Sequence, residues 1–403
     1  MRLTARLALA IVMAVAAAYG LLVAARSARA EWLARPDTSV ALRAASRVAP
    51  GNADYHARLA TLDASDDADL RIALVSNPWR TSWWIAQSVR QEQDGDVTGA
   101  ERSLLRANAV CQYYTPRWSL AAFYYRQGDK PGFVKWAKLA LSSGYGPSEP
   151  LFQMAQRLEI PSGEILRSIV PRDPARIESY RSFLLQHGDL EASFAAASEL
   201  IQAGTAADLA GVLATCDALY LAGGIGPSVA LWNGAIQVGW MKLQTLDPAA
   251  GKSLANPAFD ERVEQAFDWR RPNPPGVALS RSEPDGALRF DFSGYQPETC
   301  DLLSQYVPLL PGRRYQLDVR FRTQGIPPDS GLTWSIRTLP ASQRVAGGPL
   351  SAPSDDPVEL VFPFETPPKE VPMRLLLSYA RASGSMRIEG KLSVQSVQLT
   401  LIP

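Results

Sequence analysis

The sequence predicts a multidomain chain, α then β: an N-terminal transmembrane helix, a solenoid of helical hairpins, and a C-terminal antiparallel β-sandwich. Three observations carry this prediction. An uncharged run opens the chain, a helix–glycine–helix pattern recurs at a spacing of 33 residues, and apolar and polar residues alternate with period two beyond about residue 246. The segments are 1–30 (membrane anchor or signal), 31–245 (helical repeats) and 246–403 (sandwich). A chain of 403 residues with 46% apolar and 20% charged residues is long enough for two or three packed cores and excludes wholesale disorder. Lys and Arg number 41 against 40 Asp and Glu, so nothing in the balance points to nucleic acid, whose binding needs clustered positive charge.

The first element begins with Arg2 and Arg6, followed by 19 residues without charge, Leu7 to Ala25. At 1.5 Å per residue this run matches the roughly 30 Å hydrocarbon core of a bilayer. Eight of the 19 are Leu, Ile or Val and most of the rest are Ala, so insertion is favourable by a small margin. The run is longer than the apolar core of a signal peptide, which favours a single-pass inner-membrane anchor with the bulk of the chain in the periplasm. The alternative is secretion after cleavage at Ala30, because Ala28-Arg29-Ala30 has the A-x-A form. Arg26 and Arg29 on the far side blunt the charge asymmetry that would fix the topology.

The second element is repetitive. From Asn77, Trp84, Gly95, Ala100, Leu104 and Ala107 follow the order aromatic, turn glycine, small, large, small. Leu120, Tyr124, Gly128 and Ala140 repeat it, with Gly128 33 residues after Gly95 and Ala140 33 after Ala107. Trp84, Gly95, Ala100, Leu104 and Ala107 fall at the spacings within a tetratricopeptide (TPR) unit, whose two helices bury their apolar faces only by stacking on neighbours. Pro50 and Pro78 bracket a shorter unit around Tyr55, and weaker pairs turn at Gly188-Asp189 and Gly223-Gly224, giving about five hairpins. In the third unit Leu120, Ala121 and Tyr124 should face the repeat core, with Phe133, Trp136 and Ala137 packing from the second helix. Trp118, Tyr125 and Arg126 fall where first helices line a concave face. The preceding unit offers Ile85, Val89, Glu92 and Gln93 at the equivalent positions. Most rings in such a stretch are core, and Trp118 and Tyr125 are the candidates for a groove that holds a protein partner.

The third element reads as strands. In "ALRFDFS", Leu288, Phe290 and Phe292 alternate with Arg289 and Asp291; in "RRYQLDVRFRTQG", Tyr315, Leu317, Val319 and Phe321 alternate with polar residues; "LTWSIRT" puts Trp334 inward. "VELVFPFE", "MRLLLSYA", "MRIEGKL" and "VQSVQLTLI" bring the expectation to about eight short strands, a sandwich of jelly-roll or immunoglobulin type. Arg289, Arg314, Arg320, Arg322 and Arg337 form an outward row. Such a row is ordinarily a solvated face. It is also a platform on which guanidinium groups hold sugar hydroxyls or carboxylates while a ring from Trp269 or Tyr295, both placed in loops, stacks on the pyranose.

The stretch "CQYYTPRWSLAAFYYRQGDKPGFVKWAKLAL" resembles the repeat region of a group of membrane-anchored bacterial proteins. In that group a TPR-like array precedes a β domain with phrases like "NPAFDERVEQAFDWR" and "VPLLPGRRYQLDVRFRTQGI". The second phrase also resembles the galactose-binding-like jelly rolls of carbohydrate-binding modules, where a Pro-Gly turn leads into a long inner strand. The resemblance implies a role in envelope polysaccharide assembly or export and transfers no binding residue.

The chemistry-bearing residue types are sparse. Cys111, Cys216 and Cys300 are far apart without a CxxC pair, His56 and His187 stand alone, and no P-loop, nucleophile elbow, HExxH or EF-hand loop occurs. The cysteines read as small buried residues, with a Cys111–Cys216 bridge as the minor alternative in an oxidising compartment. Asp66-Asp67 and Asp355-Asp356 read as loops or caps. No cofactor, metal or catalytic group is expected. The favoured reading is a non-enzymatic periplasmic scaffold binding a protein through its groove. The alternatives are a glycan-binding protein acting through the jelly roll and a carbohydrate-active enzyme, whose carboxylate pair has no local signature.

Overall fold

The computed structural model describes residues 2–63, 67–282, 286–350 and 356–402, with side chains from Leu9 onward. Asp66 and Asp355 lie outside the described residues. The chain forms two compact units, Met1–Ile160 and Pro161–Pro403. The helices of residues 161–245 belong to the same compact unit as the strands.

The first unit is helical: α1 (Arg2–Ala34), α2 (Ser39–Val48), α3 (Ala53–Leu62), α4 (Asp67–Ser76), α5 (Thr81–Gln93), α6 (Val97–Val110), α7 (Tyr114–Arg126), α8 (Lys130–Leu141) and α9 (Glu149–Arg157). Successive helices pack as hairpins, α1 with α2 through α7 with α8. The turns explain why. Gly95 and Gly128 close α5 and α7 with φ of 80° and 68°, a left-handed conformation that glycine adopts without steric cost. The next residue, Asp96 or Asp129, caps the following helix by accepting from the backbone N–H of Gly99 or Gly132. Between the helices, Leu104, Ala107, Leu120, Ala121, Phe133, Trp136, Ala137 and Ala140 are buried, as their spacing requires. Tyr124 is half-buried and donates to Glu101 at 2.5 Å; burial, then that bond, push its phenol up to about 12.

In α1 every side chain from Leu9 to Arg29 is exposed, whereas Ala30 and Ala34 are buried. These two alanines pack with Leu42, Ala45, Tyr55 and Leu59. The apolar helix therefore continues without a break into the first hairpin, and the Tyr55 hydroxyl donates to Glu31 at 2.9 Å.

The second unit begins with α10 (Ser162–Ser168), α11 (Pro174–Gln186), α12 (Leu190–Ala203), α13 (Leu209–Leu221) and α14 (Ile225–Gln237). The strands follow: β1 (Val277–Arg281), β2 (Leu288–Ser293), β3 (Thr299–Tyr306), β4 (Arg314–Gln324), β5 (Leu332–Thr338), β6 (Arg344–Pro349), β7 (Val358–Glu365), β8 (Met373–Ala380) and β9 (Glu389–Ile402). They form two antiparallel sheets, one of five strands in the order β1-β2-β9-β4-β7 and one of four in the order β3-β8-β5-β6. The chain crosses between the sheets at almost every connection, as in a jelly roll. Phe290, Phe292, Leu317, Val319, Phe321, Trp334, Ile336, Leu375, Leu377 and Val397 fill the space between them.

The hairpin of α13 and α14 is bound to the sandwich. The buried Tyr220 hydroxyl lies 2.9 Å from the Val307 carbonyl and 2.8 Å from both the Met373 carbonyl and its N–H. Its ring stacks on Tyr306 and meets Phe267 edge-on. Arg270 lies 3.8 Å above the Tyr306 ring while its guanidinium pairs with Asp217 at 2.5 Å.

Candidate functional site

The helical face comes first. Trp118 and Tyr125 are half-buried, and the Tyr125 ring lies 6.5 Å from Phe133. Arg126 reaches back one repeat and forks onto Glu92, with Nε and Nη2 at 2.8 and 2.7 Å from the two carboxylate oxygens. The two residues thus engage each other across α5 and α7. A cavity of about 760 Å³ lies one repeat earlier. Tyr55, Arg58, Trp83, Val89, Arg90 and Gln93 line it; Trp118, Tyr125, Arg126 and Glu92 do not. Of the expected groove residues, the cavity takes Val89 and Gln93. α7 has a neighbour in α9, and the ten-residue helices α3 and α4 that help wall the cavity are shorter than α5.

The sandwich separates residues that sequence reading grouped. Trp269 is 0% exposed. Its indole N–H donates to the Asn256 carbonyl at 2.7 Å, and its ring meets Phe259 and Trp334 inside the core. It cannot stack on a sugar. Its segment is not a free loop, because Arg270 bridges to Ser304 of β3 through both backbone groups. The arginine row is divided as well. Arg289, Arg314, Arg320 and Arg322 stand on the five-stranded sheet, but Arg337 lies on β5 in the other sheet, with its Nε donating to Ser335. Alternation along a strand shows which residues point outward, but in a jelly roll outward has opposite senses for the two sheets.

Tyr295, between β2 and β3, is 82% exposed. It follows Gly294, which lines a cavity of about 770 Å³ at one end of the sandwich. Glu298, Asp329, Arg381, Arg387 and Glu389 supply the charges of that cavity, and Met386, 89% exposed, an apolar patch. Glu298 accepts from Arg381 at 2.8 Å and from Arg387 at 3.3 Å. The bond from Arg381, with the two positive charges, holds its carboxyl below the usual carboxylate range.

A second cavity of about 380 Å³ lies on the five-stranded sheet, lined by Arg289, Arg322, Thr323, Gln324, Lys391 and Ser393. Strand register puts Arg289 opposite Ser393 and Ser393 opposite Arg322, and Asp291 opposite Lys391 and Lys391 opposite Gln324. Arg289 also pairs with Asp291 at 2.9 Å. The strands run from one cavity to the other: Gln324 and Lys391 line the smaller, and Gly325 and Glu389 the larger. Arg320 lies further along β4, opposite Glu359 of β7.

Of the residues singled out in the sequence, Arg289 and Arg322 line the smaller cavity, and Tyr295 follows Gly294 of the larger. The other lining residues Glu298, Arg381, Arg387, Lys391 and Gln324 are spread over almost a hundred positions with no local spacing; the topology alone brings them to the two cavities. The three cysteines are free thiols. Cys216 is buried, and burial pushes its thiol up to about 12. Among the described residues no group of three or more His, Cys, Asp or Glu is placed to hold a metal.

No protein-family model and no curated protein matches the sequence. Similar solved structures include a CBM4 structure, with 12% identity and a TM-score of 0.29 over 37% of this chain and 100% of the other. A second is a carbohydrate-binding module of Cellvibrio mixtus lichenase 5A in complex with cellotriose, with 8% identity and a TM-score of 0.22 over 33% and 92%. A third, from Streptococcus pneumoniae accessory secretory protein 1, 2 and 3, has 17% identity and a TM-score of 0.23 over 32% and 87%. At these scores none of them assigns an activity to this chain.

Proposed function

We propose that this is a membrane-anchored, non-enzymatic glycan-binding protein whose sandwich takes an acidic oligosaccharide at the end marked by Tyr295. The observation that supports it is the pair of adjoining cavities. One holds the Glu298–Arg381–Arg387 network and is lined by Gly294, next in sequence to the exposed Tyr295; the other sets Arg289, Arg322 and Lys391 in register with hydroxyl and amide side chains. Guanidinium and carboxylate groups fixed by each other match vicinal hydroxyls and sugar carboxylates, and an exposed ring covers the apolar face of a pyranose. Titration of the full chain in detergent with uronic-acid oligosaccharides tests the reading. Tyr295→Ala and Lys391→Gln should each weaken binding about tenfold, the weight of one ring contact or one charge-assisted hydrogen bond. Neutral oligosaccharides of the same length should bind less well, and no new reducing ends should appear. A folded protein that ignores the whole panel would overturn the proposal.

α1 is the anchor in this reading, with the bulk of the chain on the periplasmic side. Its support is the burial of Ala30: cleavage there would remove a residue from the packed core of the first hairpin. A second reading, a groove for a protein partner, is favoured by the cavity of about 760 Å³ walled by Tyr55, Trp83 and Val89.

A further inference from the structure

If α1 spans the membrane, as proposed above, its geometry fixes where the bilayer surface falls on the first hairpin. The uncharged run ends at Ala25, so Arg26 and Arg29 come at the level of the headgroups. α2 folds back along α1: its capped start at Thr38 follows the end of α1, and at its other end the Arg26 Nη2 donates to the Val48 carbonyl at 3.3 Å. The last turn of α2, with Arg47, therefore returns to the level of Arg26. The chain segment that follows, Ala49 to Asn52, lies beside α1. Between them is a cavity of about 570 Å³ lined by Ser27, Ala28, Glu31, Ala49, Gly51, Asn52 and Tyr55.

The charges around this level are unequal. Arg26, Arg29 and Arg47 are exposed, and among the described residues none has a carboxylate within ion-pair distance. The acids of the first two hairpins are engaged elsewhere: Asp37 with Arg58, Asp63 with Arg43, Asp54 with Arg80, and Glu31 with the Tyr55 hydroxyl. The result is a positive collar at the depth where phosphodiesters lie, with a cleft opening beside it.

We propose that Arg26, Arg29, Arg47 and the α2–α3 connection form a second membrane contact, a cradle for the headgroup of an anionic phospholipid. It would seat the first hairpin on the bilayer in addition to the span. The occupant is argued from depth, charge and the adjoining cleft: a phosphate oxygen accepts from guanidinium N–H groups while the glycerol backbone stays in the bilayer.

Hydrogen exchange on the full chain in lipid nanodiscs tests it. With phosphatidylglycerol in place of phosphatidylcholine, amides of residues 47–55 should exchange several-fold more slowly, while those of α5 to α8 stay unchanged. Arg26→Gln with Arg29→Gln and Arg47→Gln should abolish the difference, and Arg47→Lys alone should keep it. Salt at about 0.5 M, where screening shortens to a few ångströms, should reduce it. Equal exchange in the two lipids overturns the proposal. So does equal protection by glycerol phosphate added to phosphatidylcholine discs, which would reveal a free-anion site. A protein recovered as a soluble chain beginning at Glu31 instead refutes the anchor, and intact mass distinguishes that failure from the others.

Discussion

At the scale of single residues, Trp269 and Tyr295 differ in exposure. Both look in sequence like rings in loops, but one is sealed in the core and the other stands in water. Trp269→Ala should cost about 3–5 kcal/mol of unfolding free energy, the usual loss for a buried large ring, read from urea denaturation. Tyr295→Ala should stay within about 0.5 kcal/mol of the parent by the same measurement while losing glycan. Glu298 has a different signature. Its carboxyl is depressed by the hydrogen bond from Arg381 and by the charges of Arg381 and Arg387. A depressed acid contributes stability that is present above its unfolded pKa of about 4 and is lost as pH falls through the folded value. Glu298→Gln should therefore remove a small stabilisation at neutral pH, converge with the parent below the folded pKa and so flatten the acid limb of the pH dependence, as a pH series of denaturation curves would show. The position of Tyr295 was legible because a Gly-Tyr pair between two strands reads as a loop. The position of Trp269 was not, because the pairing of Arg270 with Ser304 is non-local and removes its segment from solvent.

Individual elements were legible where local chemistry decides them. Gly-Asp turns supply both a left-handed residue and a cap, so hairpins closing at Gly95, Gly128 and Gly188 could be placed from sequence. A Cβ on Gly95 or Gly128 would meet no atom within 4 Å, so alanine there measures backbone strain alone. Each substitution should cost about 1–2 kcal/mol, checked by thermal unfolding of the full chain. Strands that alternate, β2, β4 and β5, were equally legible. β3 was not: Leu302 and Leu303 are both buried, a bulge interrupts its register, and Ser304 and Gln305 are covered by residues 267–270. β9 absorbs the end of one expected strand and the whole of the next, because "GKL" runs straight into "VQSVQLTLI" through a bulge opposite Arg320 and Phe321. The division of the arginine row belongs to the same category. Which sheet a strand joins is set by crossovers that no single strand encodes.

For the molecule as a whole, α1 joins its exposed apolar stretch to the helical unit without a break. Ala30 and Ala34 are small enough for α1 to lie close against α2 and α3. Ala30→Trp should disrupt that contact, lowering the stability of the first hairpin by roughly 1–3 kcal/mol through overpacking while leaving membrane retention intact. Limited proteolysis of membrane fractions would show new cutting between residues 34 and 62 and none within α7 or α8. The hold of α13 on the sandwich has a practical consequence for dissecting the chain. A recombinant fragment begun at the composition break near residue 246 would strip Tyr220 from the backbone of Val307 and Met373 and bare the rings of Phe267 and Tyr306. Its aggregation could then be mistaken for lack of sugar affinity. A cut at Pro161 keeps the plug with its socket.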